Sequence, residues 1–72
     1  MNLHNRLRDL RLQNNLTQKS LADLAGVTRQ TIIAIEKGIF GPSVRLALKL
    51  ASILNVCVED IFWLDDNRGE MS

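Results

Sequence analysis

Arg29 and Gln30 are neighbouring residues whose side chains can each form two parallel hydrogen bonds to one partner. In the major groove of DNA, arginine pairs in this way with guanine, and glutamine with adenine. Ile33 follows Arg29 by four residues and would share its side of a helix, where an apolar group can contact the methyl group of a thymine. Alternatively, Ile33 contacts the loop near Phe40. These residue types favour the recognition of base edges over bond-making chemistry.

Other reactive side chains do not form a catalytic or metal-binding set. The sequence has no nucleophile–base pair, no paired carboxylates across a plausible cleft and no glycine-rich phosphate loop, so we expect no enzyme. One cysteine, Cys57, and one histidine, His4, lie far apart and supply a zinc site poorly. Cys57 stands in an apolar stretch, which predicts a buried and inert thiol. We therefore expect neither a cofactor nor a metal.

The length of 72 residues predicts one domain, 1–72, that is marginally stable alone. A single cysteine excludes an internal disulfide, so association with a second copy is the expected extra source of stability. The sequence has no run of 18 apolar residues, so it predicts no membrane span. The N-terminal residues also lack the apolar core of a signal peptide. We expect a cytoplasmic protein without membrane contact.

Charge is distributed unevenly along the chain. Residues 1–49 carry eight basic and three acidic side chains, whereas residues 50–72 carry one basic and five acidic side chains. A basic body with an acidic end fits a polyanionic partner, although an ordinary solvated surface would give the same count.

Apolar residues recur every three to four positions, which predicts helices almost throughout. Start signals of the N-cap type are Thr17, Thr28 and Ser43, and stop signals are Gly26, Gly38 and several asparagines. The predicted helices cover about Asn5 to Asn14, then the segments that begin after Thr17, Thr28 and Ser43, and last a short helix over Val58 to Phe62. Residues 66–72 are expected to be frayed.

Residues 17–37 form the most informative unit, a predicted helix-turn-helix. Ala22 is small enough for two helices to cross closely, Gly26 permits a tight turn, and Ile32 and Ile35 lie on one inward face. The opposite face would then contact DNA bases. We predict base contacts from Thr28, Arg29, Gln30, Thr31, Ile33 and Ala34.

Contacts to DNA phosphates should flank this helix. Thr17 and Gln18 begin a helix, where unpaired N–H groups attract anions. We expect Lys37, the backbone amides near Gly38 and Ile39, and Arg45 to hold the backbone elsewhere, positioning the protein without reading sequence.

Apolar residues crowd the C-terminal third beyond what a small core needs. Some, Leu50 and Ile61 among them, should pack beneath the helix-turn-helix, and an exposed remainder would form an interface. The predicted two-fold interface consists of Leu54, Val56, Ile61, Trp63 and Leu64.

Residues Leu16 to Phe62 resemble the Cro/C1-type (XRE) helix-turn-helix family known from phage repressors. The resemblance is closer still to very short bacterial regulators of the cytolysin-repressor type. It rests on Arg29-Gln30-Thr31-Ile32, Ile35-Glu36-Lys37-Gly38, Pro42-Ser43, Ala47-Leu48-Lys49-Leu50-Ala51, Leu54-Asn55-Val56 and Glu59-Asp60-Ile61-Phe62.

The resemblance implies a mainly α fold, the five-helix lambda-repressor-like DNA-binding domain, with a recognition helix that starts at Thr28. It also implies homodimers that bind inverted repeats in double-stranded promoter DNA, most simply as repressors. In the short subgroup the chain ends can pair as a two-stranded antiparallel sheet, here Met1 to Leu3 with Phe62 to Leu64. Many relatives carry a separate sensor domain; this chain has none, so we expect no small-molecule ligand.

Two other functions share this fold and size. An antitoxin would also bind a second protein, its toxin, through a segment for which only the end of the chain after Leu64 is available. A controller protein of a restriction–modification operon differs from a general repressor only in its neighbouring genes. Activation in place of repression also stays open.

Overall fold

Five helices and two short strands follow one another in the computed structural model, which describes residues 1–65. Their order is β1 (Asn2–Asn5), α1 (Leu7–Gln13), α2 (Gln18–Ala25), α3 (Arg29–Glu36), α4 (Val44–Leu54), α5 (Val58–Ile61) and β2 (Phe62–Asp65). The predicted mainly α fold with a small sheet is confirmed. The predicted frayed segment, 66–72, lies outside the described residues. None of the helices within residues 1–65 combines the length and apolar character needed to cross a bilayer.

Short polar side chains begin three of the helices. The hydroxyls of Thr17, Thr28 and Ser43 accept the backbone N–H three residues further on, at 2.9, 3.3 and 3.1 Å respectively. Each bond satisfies one of the N–H groups that a helix start leaves unpaired, which is why these residue types mark the starts in the sequence. The three predicted caps are confirmed.

The first helix begins two residues later than predicted. Asn5 belongs to β1, and its side-chain carbonyl accepts the N–H of Leu7 at 3.0 Å, so the helix starts at Leu7. The following helix ends agree with the predictions: Gly26 has the left-handed conformation with φ of 72°, as do Asn15 after α1 and Asn55 after α4.

The two ends of the described chain pair as an antiparallel sheet. Asn2 lies opposite Asp65, Leu3 opposite Leu64, His4 opposite Trp63 and Asn5 opposite Phe62. The sheet that the resemblance implied is therefore present with other bounds: β1 begins at Asn2 rather than Met1 and extends to Asn5, and β2 extends to Asp65. Phe62 has an extended backbone, with φ of −125° and ψ of 140°, so α5 ends at Ile61 rather than at Phe62 as predicted.

A single core joins all five helices. Its six largest side chains with less than 2% exposure come from every helix in turn: Leu7, Leu21, Ile32, Ile35, Leu50 and Ile61. Burial of each aliphatic side chain stabilises the fold by about 1.5–3 kcal/mol. The predicted inward positions of Ile32 and Ile35, and of Leu50 and Ile61 beneath the helix-turn-helix, are confirmed.

Burial within the chain overturns two predicted interface residues. Leu54 is only 2% exposed and Ile61 is fully buried, so neither side chain can contact a second copy of the folded protein. In the sequence both stand among surplus apolar residues, which predicts an interface, but the inward faces of α4 and α5 use them in the core.

Cys57 is also placed differently from the prediction. It is a free thiol and exposed, because it is the extended residue before α5 rather than part of the core. Its backbone N–H donates to the carboxylate of Asp60 at 2.9 Å, which closes the start of that short helix.

Candidate nucleic-acid interface

The outward face of α3 is set by the two isoleucines on its inward face. Successive helix residues turn by about 100°, so with Ile32 and Ile35 fully buried, Gln30 points directly away from the core. Gln30 is accordingly exposed, whereas Ile33 and Ala34, on either side of it, are half-buried. The orientation agrees with the prediction, and the base contacts themselves stay a prediction.

The edges of this face are Arg29 on one side and Thr31 on the other. Arg29 is exposed, and Thr31 is half-buried. The hydroxyl of Thr31 lies 3.1 Å from that of Thr28, the residue that caps α3. Both threonines are thus fixed at the start of the helix, where side chains come nearest to base edges in this type of motif.

A hollow separates the start of α2 from the start of α3. It is lined by Arg11, Leu12, Leu16, Thr17, Gln18, Lys19 and Arg29. Besides Arg11, two cationic groups, Lys19 and Arg29, therefore lie beside the first turn of α2, whose partial positive charge also attracts anions. Lys19 pairs with Asp23 at 3.1 Å, but both side chains are largely exposed, so salt weakens that pair.

A buried ion pair that the sequence analysis missed connects three helices. The guanidinium of Arg11 donates to both carboxylate oxygens of Glu36, at 2.7 and 3.3 Å, and to the carbonyl of Leu16 at 2.9 Å. The side-chain amide of Gln18 donates to the same carboxylate at 3.2 Å. Both charged side chains are less than one-tenth exposed. The last residue of α3 is thereby fixed to α1 and to the first residue of α2.

The sequence did contain a signal for this pair. Arg11 follows Leu7 by four residues, so a helix places it on the same inward stripe as Leu7 and Leu10. A buried charge requires a partner. The partner, Glu36, is 25 residues away, beyond the reach of local patterns.

The segment after α3 corrects one predicted phosphate contact. The N–H of Gly38 donates to the carbonyl of Ile35 at 2.9 Å, and the N–H of Ile39 donates to that of Ala34 at 3.0 Å. These amides are occupied in ending the helix, because a helix C-terminus leaves carbonyls that need donors. They are therefore not free to bind a phosphate, whereas the exposed side chain of Lys37 is.

Arg45 lies close to a second cation. It lines a hollow with Lys49, one turn further along α4, and with Gly26 in the turn between α2 and α3. A Cβ atom on Gly26 would lie 3.4 Å from the ammonium nitrogen of Lys49. Lys49, which the sequence analysis did not single out, therefore adds a positive charge beside this turn.

The remaining predicted interface residues differ in exposure. Trp63 is 42% exposed and Leu64 is 48% exposed, whereas Val56 is half-buried and packs against the core. The indole of Trp63 stacks on His4 with ring centres 6.0 Å apart, and the guanidinium of Arg6 lies 5.4 Å from its ring centre. Part of the tryptophan surface is thus already covered within the chain.

A second exposed apolar pair lies on α4 and was not predicted. Val44 is 77% exposed and Leu48, one helical turn later, is 58% exposed. Helical spacing places them at one edge of α4, beside the face that Ala47, Leu50 and Leu54 turn toward the core.

Comparison with known proteins identifies the family. The model of the helix-turn-helix family matches residues 7–61, which include all five helices. This chain belongs to the helix-turn-helix family of XRE type. The regulator is 51% identical over 66 residues to an uncharacterized HTH-type transcriptional regulator of Methanocaldococcus jannaschii, a match that covers 92% of this chain and 100% of that protein.

Two further relatives carry more specific names. The cryptic phage CTXphi transcriptional repressor RstR of Vibrio cholerae is 34% identical over 56 residues, covering 78% of this regulator and 50% of that protein. The crystal structure of the restriction–modification controller protein C.AhdI of Aeromonas hydrophila superposes with a TM-score of 0.70 at 35% identity, covering 75% of this chain and 82% of that one.

Family membership confirms the broader predictions. The protein is a transcriptional regulator with a helix-turn-helix DNA-binding fold, and its family binds double-stranded DNA. The family is one of DNA-binding regulators and not of enzymes.

Proposed function

We propose that this regulator is a sequence-specific repressor that binds an inverted-repeat operator as a homodimer. The observation that carries the proposal is the outward face of α3, where Gln30 stands exposed between the apolar side chains Ile33 and Ala34, with Arg29 and Thr31 at the edges. An amide or guanidinium that forms two hydrogen bonds to one base discriminates against other bases by about 1–3 kcal/mol. Together with Thr28, these are the proposed base-contacting residues.

The surroundings of α3 supply the phosphate contacts in this proposal. Thr17 and Gln18 begin α2 beside Arg29, Lys37 follows the far end of α3, and Arg45 lies next to the turn. Such contacts fix the register of the protein on the duplex. The Arg11–Glu36 pair supports them, because it fixes α3 relative to Gln18.

The homodimer in this proposal supplies both stability and spacing. A chain of this size buries only about 60% of its unfolded surface when it folds alone. It also leaves large apolar side chains exposed next to one another, as with Val44 and Leu48. A two-fold axis would place two recognition helices about 34 Å apart, one turn of DNA. Trp63, Leu64 and Val56 are the proposed interface residues, and the Val44–Leu48 face is the alternative.

Repression follows most simply from such a dimer. A dimer that occupies a promoter excludes RNA polymerase and needs no additional surface for contacting the polymerase. The similarity to a phage repressor supports this role. The similarity to a restriction–modification controller favours one second candidate, control of a restriction–modification operon, through the same DNA contacts.

Selection of bound duplexes from a random library tests the proposal. We expect an inverted repeat to be enriched, and Arg29→Ala and Gln30→Ala to lose discrimination at particular bases in each half-site. Arg8→Ala is the matched control, since Arg8 is an exposed arginine on α1 away from this face. If no sequence is enriched, or if Arg8→Ala changes the base preference as much as Arg29→Ala, the proposal fails.

A further inference from the structure

The segment after α3 folds back onto the outward face of that helix. The N–H groups of Ile39 and Phe40 both donate to the carbonyl of Ala34, at 3.0 and 3.3 Å. The ring of Phe40 is 46% exposed and borders two clefts, one against the inner face of the sheet with Leu3 and one against α3. Its backbone beside α3 is therefore held by these hydrogen bonds, and its ring lies between the two clefts.

Phe40 and α3 together form a shallow hollow of about 250 Å³, lined by Gln30, Thr31, Ala34 and Phe40. Its walls are largely apolar. The hydroxyl of Thr31 is already hydrogen-bonded to that of Thr28, so the methyl group is the part of the Thr31 side chain that remains for an apolar contact. Ile33 does not line this hollow, because it lies on the other flank of Gln30.

The hollow adjoins the proposed base-contacting face of α3. Gln30 both points directly outward from α3 and forms one wall of the hollow, so a base that contacts the Gln30 amide brings its neighbours to the hollow's mouth. In the major groove the apolar group that a base pair presents is the 5-methyl group of thymine. A small apolar recess beside a polar reading side chain suits that group.

Resting on the proposed function, we propose that this hollow receives the 5-methyl group of an operator thymine and that Phe40 is a specificity-determining residue. Ile33 would contact a different thymine on the opposite side of Gln30. The recognition surface thus extends beyond α3 to the loop that follows it. Phe40, which lies outside α3, would then contribute to base discrimination.

Replacement of single thymines by deoxyuridine tests this, because the change removes the methyl group and keeps the hydrogen-bonding edge. In the selected operator, each thymine of a half-site is replaced in turn and affinity is measured by titration. We expect the wild-type protein to lose about fourfold in affinity at each of two positions, one facing the hollow and one facing Ile33, the factor expected for burial of one methyl-sized group. Phe40→Ala should bind the thymine and deoxyuridine duplexes equally at the first position, while Ile33→Ala cancels the difference at the second.

Two further variants keep the test decisive. Leu24→Ala is the control, because Leu24 is an apolar residue of similar exposure, 55%, on α2, and it should leave every thymine-to-deoxyuridine ratio unchanged. Ala34→Leu fills the hollow while leaving Phe40 in place, and should abolish the same ratio as Phe40→Ala.

Failure of this inference is distinct from failure of the proposed function. If an operator is selected and bound but Phe40→Ala and Ala34→Leu keep every ratio, only the role of the hollow is refuted. A selected operator without a methyl-sensitive position refutes it as well. If Phe40→Ala instead converts a dimer to a monomer in sedimentation, the ring contacts a second copy and the inference is wrong. The absence of any enriched operator refutes the proposed function itself.

Discussion

Replacement of Glu36 by alanine removes one partner of the ion pair that connects α1, α2 and α3. The change leaves the guanidinium of Arg11, which is less than one-tenth exposed, with the Leu16 carbonyl as its protein partner, and it removes the acceptor of the Gln18 amide. Loss of one partner from a buried pair costs about 3–5 kcal/mol, because the remaining charge stays desolvated. Since Arg11 keeps one hydrogen bond, we expect a loss near the lower limit, about 3 kcal/mol.

Such a loss is large for a chain of 72 residues. At 4–8 °C for each kcal/mol in a domain of this size, the midpoint of thermal unfolding should fall by roughly 12–24 °C. The free energy of unfolding from urea titration, followed by circular dichroism, gives the same quantity independently. The matched control is Asp23→Ala, which breaks the exposed Lys19–Asp23 pair and should cost less than about 1 kcal/mol.

A double variant separates the desolvation penalty from the loss of packing. Arg11→Met combined with Glu36→Leu replaces the pair by apolar groups and should recover most of the stability that Glu36→Ala loses. It should still bind the operator more weakly than wild type, because Gln18 has lost the carboxylate that positions it. If Glu36→Ala costs no more than Asp23→Ala, the pair does not stabilise the fold and the reasoning is wrong.

Three further predictions concern the turn, the phosphate contacts and the dimer. Gly26→Ala should destabilise the fold by about 1–2 kcal/mol, because φ of 72° disfavours a side chain even where space exists; an unchanged urea midpoint would contradict this. Lys37→Ala should reduce the slope of log affinity against log salt by about 0.9 per half-site without changing base preference, and an unchanged slope would exclude Lys37 from the phosphate contacts. Trp63→Asp should yield a monomer in sedimentation, with Leu48→Asp as its partner experiment; a monomer from Leu48→Asp alone would move the interface to α4.

Features governed by neighbouring residues were predictable from the sequence. Thr17, Thr28 and Ser43 accept N–H groups three residues away, so a local pattern suffices to place the helix starts. The inward positions of Ile32 and Ile35 follow from helical spacing in the same way. The outward face of α3 was therefore predictable, since it is the complement of its buried face.

Features that depend on distant residues were not predictable from local patterns. The sheet joins residues about sixty positions apart, and only the family resemblance pointed to it. The partner of Arg11 lies on another helix, and Cys57 is exposed although its neighbours in sequence are apolar. The amides of Gly38 and Ile39 donate to carbonyls at the end of their own helix, a pairing set by the path of the backbone after α3 and not by residue type.

The sheet also sets an order of events in time. Helices α2 and α3 make contacts over short stretches of chain, whereas β1 and β2 meet only after nearly the whole chain has been brought together, which is slow. The sheet is thus expected to form late and to open early. Its opening reaches α3 directly, because the side-chain amide of Asn5, the last residue of β1, donates to the carbonyl of Ile35 at 2.9 Å. Each transient opening would remove this one contact from the far end of α3, while the Arg11–Glu36 pair still holds its last residue. The lifetime of this small sheet therefore limits how long the proposed base-contacting face keeps all of its supports.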